Sequence, residues 1–264
     1  MKTMFVTGNH PRHIYVVKKF TKYFKNFKWV IEKREININH KKLVKKSKIY
    51  EKHIKNFKRN EKVFFTKAKN FEKDNQSKIF YTKRNETNSK IFNEKILEIA
   101  ANYEPKILFS YGCQKIDINN FKKKNIRLFN IHGGLLPKYK GVNTNFWPHI
   151  NRESNFIGLT LHKLSHKIDS GDIFFQTSVD ILKKDTINKL SCRAIVNFCK
   201  VVPKKIFFEL KKNFRIKGIK FKSEYKTYKK TDFKASHIKE AYKKFETFLN
   251  AKKIKNKVDL INIS

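Results

Sequence analysis

The chain has 264 residues, enough for one substantial core and a small appendage, and one large domain with a short tail is expected. Its 62 Lys and Arg against 22 Asp and Glu give a formal net charge of +40, which invites a nucleic-acid reading. Only eight of the basic residues are Arg, the residue suited to forked phosphate and base-edge contacts, and the scarcity of Ala, Gly and Pro beside abundant Lys, Asn, Ile and Phe is the profile of an A- and T-rich coding sequence.

No run of about 18 apolar residues is free of charge, and the opening MKTMFVTGNH holds too short an apolar run for a secretory signal, so a soluble cytoplasmic protein with no membrane contact is expected. Cys113, Cys192 and Cys199 form no CxxC spacing, which argues against a disulfide framework or a zinc site and for reduced thiols.

In chain order, a strand over Thr3–Thr7, a turn at Gly8 to Pro11, an amphipathic helix through about Phe24 and a strand near Phe27–Glu32 make the opening of a βαβ unit. One glycine in the first turn leaves the GxGxxG fingerprint missing, so NAD and FAD are not expected. Residues 40–75 are Lys-rich with weak apolar periodicity and read as solvated helices laid across the sheet. A clearer helix spans Asn88–Asn102, with Ser89 as its cap, Ile91, Phe92, Ile96, Leu97, Ile99 and Ala100 on the buried stripe, and Pro105 as its stop.

The apolar run Lys106–Ser110 predicts a central parallel strand covered on both faces. A short helix around Asn119–Lys124 leads to a strand over Ile126–Ile131. A helix near Thr144–Asn151 and alternating strands over Ile157–His162 and Ile173–Val179 follow. Asp185 is placed to cap a long helix that begins at Thr186, buries Ile187, Leu190, Ala194, Ile195, Phe198 and Val202, and is kinked or stopped by Pro203. One more helix is expected over Ile238–Leu249.

Chemistry concentrates in two places. Asn130 and His132 lie two apart at the end of a predicted strand, which points both side chains to one side, and they leave the sheet at its carboxyl edge, where open α/β sheets bind ligands. Gly133 and Gly134 follow and permit a tight turn with close backbone approach. Asp169 lies on a loop, with Gly171 two residues later to permit an unusual backbone angle.

The ordered set resembles the folate-dependent formyltransferase family, which includes methionyl-tRNA formyltransferase, glycinamide ribonucleotide transformylase and the amino-sugar N-formyltransferases. The family signature N-x-H-x-S-L-L-P-x-[YWF]-[RK]-G followed by D-[TS]-G is similar to NIHGGLLPKYKG and IDSGD here, and Ser110-Tyr111-Gly112 and Gly158-Leu159-Thr160-Leu161-His162 match further family segments. The similarity covers roughly residues 80–210. One departure is Gly134, which stands where the family has Ser.

This resemblance implies an α/β fold, a Rossmann-like, mostly parallel sheet flanked by helices, with a catalytic domain over residues 1–210 and a short, mainly helical extension over 211–264. It implies 10-formyltetrahydrofolate as co-substrate, no metal, and transfer of the formyl group to a primary amine. Asn130 would hydrogen-bond the developing oxyanion, His132 would stabilise it or shuttle a proton, and Asp169 would orient His132. Ser110, Tyr111, Gly112, Gly134, Leu135, Leu136, Pro137, Ile168 and Ser170 would frame the donor.

The segment VNTNFWPHI after the signature and the Tyr225–Phe233 segment resemble those of relatives acting on nucleotide-linked amino sugars. Phe146 reads as a buried anchor, Trp147 or His149 as candidates for acceptor contact, and Tyr225–Phe233 as a structural appendage. Initiator tRNA is the alternative acceptor, favoured by charge but disfavoured because about 55 residues after position 210 lack a barrel's strand pattern. A glycinamide ribonucleotide enzyme fits less well because the extra helices exceed its compact plan. A non-catalytic RNA-binding protein is the remote alternative, and a homodimer is left open.

Overall fold

A seven-stranded sheet carries the molecule, and the period-2 alternation of its strands assigns each face its own set of helices. The computed structural model describes residues 1–33, 47–84, 89–121, 125–222, 224–250 and 258–263. The strands are β1 (Thr3–Gly8), β2 (Phe27–Lys33), β3 (Ile79–Lys83), β4 (Ile107–Tyr111), β5 (Arg127–His132), β7 (Gly158–Lys163) and β8 (Ile173–Ser178), in the order β3-β2-β1-β4-β5-β7-β8. The first five are mutually parallel, while β7 is antiparallel to β5 and β8 to β7. A separate two-stranded ladder joins β6 (Lys140–Gly141) to β9 (Thr227–Tyr228).

Met4, Val6, Val30 and Leu108 point to one face and meet Phe92, Ile96, Ile99 and Ala100 of the helix Lys90–Tyr103. Phe5, Trp29, Ile31, Ile107 and Phe109, one residue out of phase, point to the other. There they pack with the helices Pro11–Phe20, Lys48–Phe65 and Ile187–Lys212. Ile238, Ala241 and Phe245 of the last helix, Ala235–Leu249, join this same core. A buried Phe of this kind contributes on the order of 1.5–3 kcal/mol against exposure, and the stacked Phe5, Phe109 and Phe129 rings tie β1, β4 and β5 together on this face.

Several expectations need correction. The first helix ends at Phe20, before Phe24. Thr186, and not Asp185, caps the long helix by accepting from the Lys189 N–H, while the Asp185 carboxylate accepts from the Leu182 N–H and pairs with Arg193. That helix continues through Pro203 to Lys212, because the proline's neighbours Val202 and Ile206 stay packed in the core. Ile91 is 64% exposed, one position off the stripe of Phe92, Ile96 and Ile99. Ser89 occupies its cap position without a side-chain hydrogen bond. The helix expected over Thr144–Asn151 is one turn, Trp147–Ile150, and the one near Asn119 is a 3₁₀ turn over Ile118–Phe121. Residues 122–124, and 40–46 of the Lys-rich stretch, lie outside the described residues. Ile79–Lys83 forms an edge strand with no counterpart among the predicted elements. Cys192 and Cys199 are buried free thiols and Cys113 is half-buried. No described helix is long and apolar enough to cross a membrane.

Candidate active site

The parallel register at the carboxyl end of β4 and β5 sets Ser110 beside Asn130, and the antiparallel register of β7 sets His162 on its other side. Ser110 Oγ donates to Asn130 Oδ1 at 2.8 Å, and Asn130 Nδ2 donates to His162 Nε2 at 3.0 Å. The His162 ring can accept there because its Nδ1–H donates to the Lys163 carbonyl at 2.8 Å. Two strand neighbours therefore fix which way the Asn130 amide points.

His132, two residues on and 6% exposed, lies between two acceptors. Its Nε2 donates to the Tyr139 carbonyl at 2.7 Å, and its Nδ1 lies 3.3 Å from Asp169 Oδ2. Burial pushes the imidazole's pKa below its ordinary value, and the Asp169 charge opposes but does not reverse that shift. The neutral ring spends its one N–H on Tyr139, so a proton taken up at Nδ1 lands directly beside a carboxylate.

Asp169 adopts a left-handed backbone, φ 48°, which brings its carboxylate back over the sheet; the unusual angle is at Asp169 itself and not at Gly171. Gly171 serves close approach instead, since a Cβ there would fall 1.9 Å from the Lys163 carbonyl oxygen. Asp169 Oδ2 accepts from the Gly141 N–H at 2.8 Å, and Oδ1 lies 3.5 Å from both Asn130 Nδ2 and His162 Nε2. Burial alone would raise this carboxyl, but His132, His162 and the Gly141 N–H outweigh it and hold the pKa at about 2. The group is an anion throughout the neutral range.

These side chains line one cleft of about 770 Å³. Of the positions expected to frame a donor, Ser110, Tyr111, Gly112 and Ile168 line it, and Ile168 is an apolar side chain 56% exposed at its edge. Gly134, Leu135, Leu136, Pro137 and Ser170 do not line it. Leu135 and Leu136 are buried behind the site, where Thr160 Oγ1 donates to the Gly134 carbonyl and Gln176 Nε2 to that of Leu136. A Cβ on Gly134 would fall 2.7 Å from Thr144 Cβ, 2.8 Å from the Tyr139 carbonyl oxygen and 2.9 Å from His132 Nε2, which explains glycine at a position where Ser is usual.

Sequence reasoning passed over three groups. His162 was legible in principle, because alternation along Gly158–Lys163 beside the Asn130 strand places it opposite. Tyr228 enters the cleft from the C-terminal segment and stacks on Trp147 at 4.6 Å and 14°. Trp147 is thereby engaged, and its Nε1 donates to the Val142 carbonyl. His149 is fully buried against Phe245 and bonded to Ser154, away from the cleft, which removes it as an acceptor contact, while Phe146 is buried as expected. The third group is a polar wall. His53 Nδ1 and Asn188 Nδ2 lie 3.2 and 3.3 Å from the Tyr242 hydroxyl, Arg12 is held by Glu61, and Arg84 by Glu32 at 3.3 Å. Among the described residues no cluster of three or more His, Cys, Asp or Glu is arranged to hold a metal ion.

Comparison with known proteins places this arrangement. Residues 36–206 match the family model described as formyl transferase. The chain is 37% identical over 131 residues to the bifunctional polymyxin resistance protein ArnA of Wigglesworthia glossinidia brevipalpis, covering 49% of this chain and 19% of ArnA. It is 31% identical over 107 residues to the GDP-perosamine N-formyltransferase of Brucella melitensis, covering 39% of this chain and 40% of that one. The matches thus span less than half the length of either relative. Its fold is similar to that of the N-formyltransferase from Helicobacter canadensis, solved with folinic acid and dTDP-3-aminofucose, with a TM-score of 0.56 and 18% identity over 92% of this chain and 81% of that one. With the family model matched over well more than half of its length, the chain belongs to the formyl transferase family.

Proposed function

We propose that the protein transfers a formyl group from 10-formyltetrahydrofolate to the primary amine of a nucleotide-linked amino sugar. The observation that carries this reading is the convergence of Asn130, His132 and Asp169, with His162, on one cleft at the carboxyl edge of the sheet, inside the segment that matches the family. The names of a GDP-perosamine N-formyltransferase and of an N-formyltransferase solved with dTDP-3-aminofucose support the amino-sugar acceptor.

The residues present suit a folate donor. Ser110, Tyr111 and Gly112 line the cleft where a flat heterocycle would lie, and the exposed Ile168 offers it an apolar edge. The donor supplies an activated formyl carbon. Asn130 holds one N–H to His162 and the other at a long 3.5 Å from Asp169, so the second, weakly engaged and fixed in direction, can donate to the oxygen that gains charge as the amine adds. Such a preorganised donor is worth about 3 kcal/mol of barrier. As the amine adds, its proton passes to His132 Nδ1, where Asp169 stabilises the imidazolium; when the tetrahedral adduct collapses, the bond from the formyl carbon to N10 of the donor breaks and that proton goes to N10, releasing tetrahydrofolate. Asp169, ionised and held by Gly141, keeps that ring in place and can relay the same proton toward it through water.

Arg12 and Arg84, each anchored by a buried Glu on the cleft wall, offer guanidinium groups to a nucleotide diphosphate. The catalytic unit is assigned to residues 1–210 and the extension to 211–264. The test is incubation of the purified protein with 10-formyltetrahydrofolate and, separately, GDP-perosamine, dTDP-3-aminofucose and charged initiator tRNA, reading the mass increment of one formyl group. Formylation of a sugar is the expected result; formylation of the tRNA alone would overturn the acceptor assignment.

A further inference from the structure

The four residues Tyr139–Val142 grip the catalytic pair from one edge. The Tyr139 carbonyl accepts from His132, and the Gly141 N–H donates to Asp169. The other edge of the same four residues is held by a segment some ninety positions later in the chain. Lys140 and Gly141 pair in parallel with Thr227 and Tyr228, and the Val142 N–H donates to the Tyr228 carbonyl at 3.0 Å. Only glycine allows this approach, since Gly141 has φ 95° and a Cβ on it would fall 2.0 Å from the Tyr228 carbonyl oxygen.

The Tyr228 ring fastens the ladder from the side. It lies parallel to Trp147 at 4.6 Å and 14° and to Tyr139 at 6.2 Å and 12°. Asn151 Nδ2 donates to the hydroxyls of both tyrosines, at 3.1 Å for Tyr228 and 3.2 Å for Tyr139, and the Tyr139 hydroxyl donates to Glu153 at 2.6 Å. Asp169 adopts a left-handed angle, which in a non-glycine residue persists only when surrounding contacts hold it. The Gly141 N–H is one such contact, and its own position is set by the ladder.

We infer that Tyr228 is a positioning residue: through the β6–β9 ladder and its stack on Trp147 and Tyr139, it fixes the Gly141 N–H and the Tyr139 carbonyl, and so holds Asp169 and His132 in register with each other. The inference deepens the formyl-transfer reading and rests on it for the catalytic consequence alone.

The test uses the full chain, labelled with nitrogen-15, as wild type, Tyr228→Phe and Tyr228→Ala. Hydrogen exchange of the Gly141 amide and the His132 ring nitrogen signals read the geometry, and kcat and KM with 10-formyltetrahydrofolate and the amino sugar read the consequence. In Tyr228→Ala the Gly141 amide should exchange at least about tenfold faster and the His132 signals should move, with kcat down on the order of ten- to a hundredfold and both KM values nearly unchanged. Tyr228→Phe keeps the stack and should restore wild-type behaviour in each readout.

Wild-type exchange and unmoved His132 signals in Tyr228→Ala would overturn the inference. So would a variant that raises only the acceptor KM, because that marks a substrate contact. If Tyr228→Ala does not fold, Tyr228→Leu, which fills the space but offers no flat ring, is judged by the same criteria. Absence of formyl transfer by the wild type would sink the functional reading and leave the exchange measurement to decide this one.

Discussion

The eight residues Asn130–Pro137 are contiguous in sequence and divide at Gly133 into two regions of opposite task. Asn130 and His132 face the cleft, Asn130 held by Ser110 and His162, which border it too, and His132 by the Tyr139 carbonyl behind it. Gly134–Pro137 turn away, with the Gly134 and Leu136 carbonyls and the Leu136 N–H satisfied by Thr160 and Gln176. The contrast teaches that a motif can be half chemistry and half joinery, and that neighbours in sequence need not share a reason for being there.

Replacing Asn130 or Asp169 with Ala should give the largest effect, a fall in formyl transfer of about 10²–10³ in kcat with folded protein by circular dichroism. Wild-type turnover in Asn130→Ala would break the division by removing Asn130 from the chemistry of the cleft-facing half, and wild-type turnover in Asp169→Ala would remove Asp169 from the site. Gly134→Ser sits on the dividing line. Its Cβ would press on Thr144, the Tyr139 carbonyl and His132, so a loss of about 1–3 kcal/mol in urea unfolding, together with reduced kcat, is expected. Gln176→Leu tests the joinery alone. It leaves the buried Leu136 carbonyl without its donor and should cost about 1–3 kcal/mol of stability with little change in kcat.

Acid acts through three imidazoles. Burial pushes His149 down to about 3 and His53 down to about 4, and His132 also lies below its ordinary 6.5, so near neutrality and somewhat below it they favour the neutral form in the folded protein while the unfolded chain binds their protons. Stability contributed by each is full above about pH 6.5 and is lost as pH falls; that from His149 is lost down to about 3. Asp169, held at about 2 against an ordinary 3.8, loses its contribution only below about pH 4. The urea midpoint should therefore decline from about pH 6.5 downward, and His149→Phe should flatten that slope; an unchanged slope would place the protonation elsewhere. The smallest effect belongs to the solvated surface. Lys95→Ala, which removes the exposed pair with Glu98, should change stability by less than about 0.5 kcal/mol.

What was legible in the sequence follows from the range of the interactions involved. Alternation along β5 and the carboxyl-edge rule located Asn130 and His132, because strand geometry is local. The edge strand Ile79–Lys83 went unseen because its burial is irregular and its partner among the described residues, β2, lies some fifty residues earlier. Pro203 and Asp185 misled for a related reason. Packing of Val202 and Ile206 outweighs the helix bond lost at the proline, and Asp185 is drawn off by Arg193. Tyr228 could not be placed from its neighbours in sequence, since its partners Tyr139, Gly141 and Trp147 lie roughly ninety residues away.

The ladder between β6 and β9 also bears on the order in which the working site matures during synthesis. When a ribosome has released the chain as far as residue 210, every polar group of the cleft cluster is already outside, yet the loop that grips them has only one edge. Thr227 and Tyr228 supply the second edge later. A nascent chain that has not yet emerged as far as Tyr228 would hold the Tyr139–Val142 loop by one edge alone, so the ladder can close only after the cluster it braces has been made.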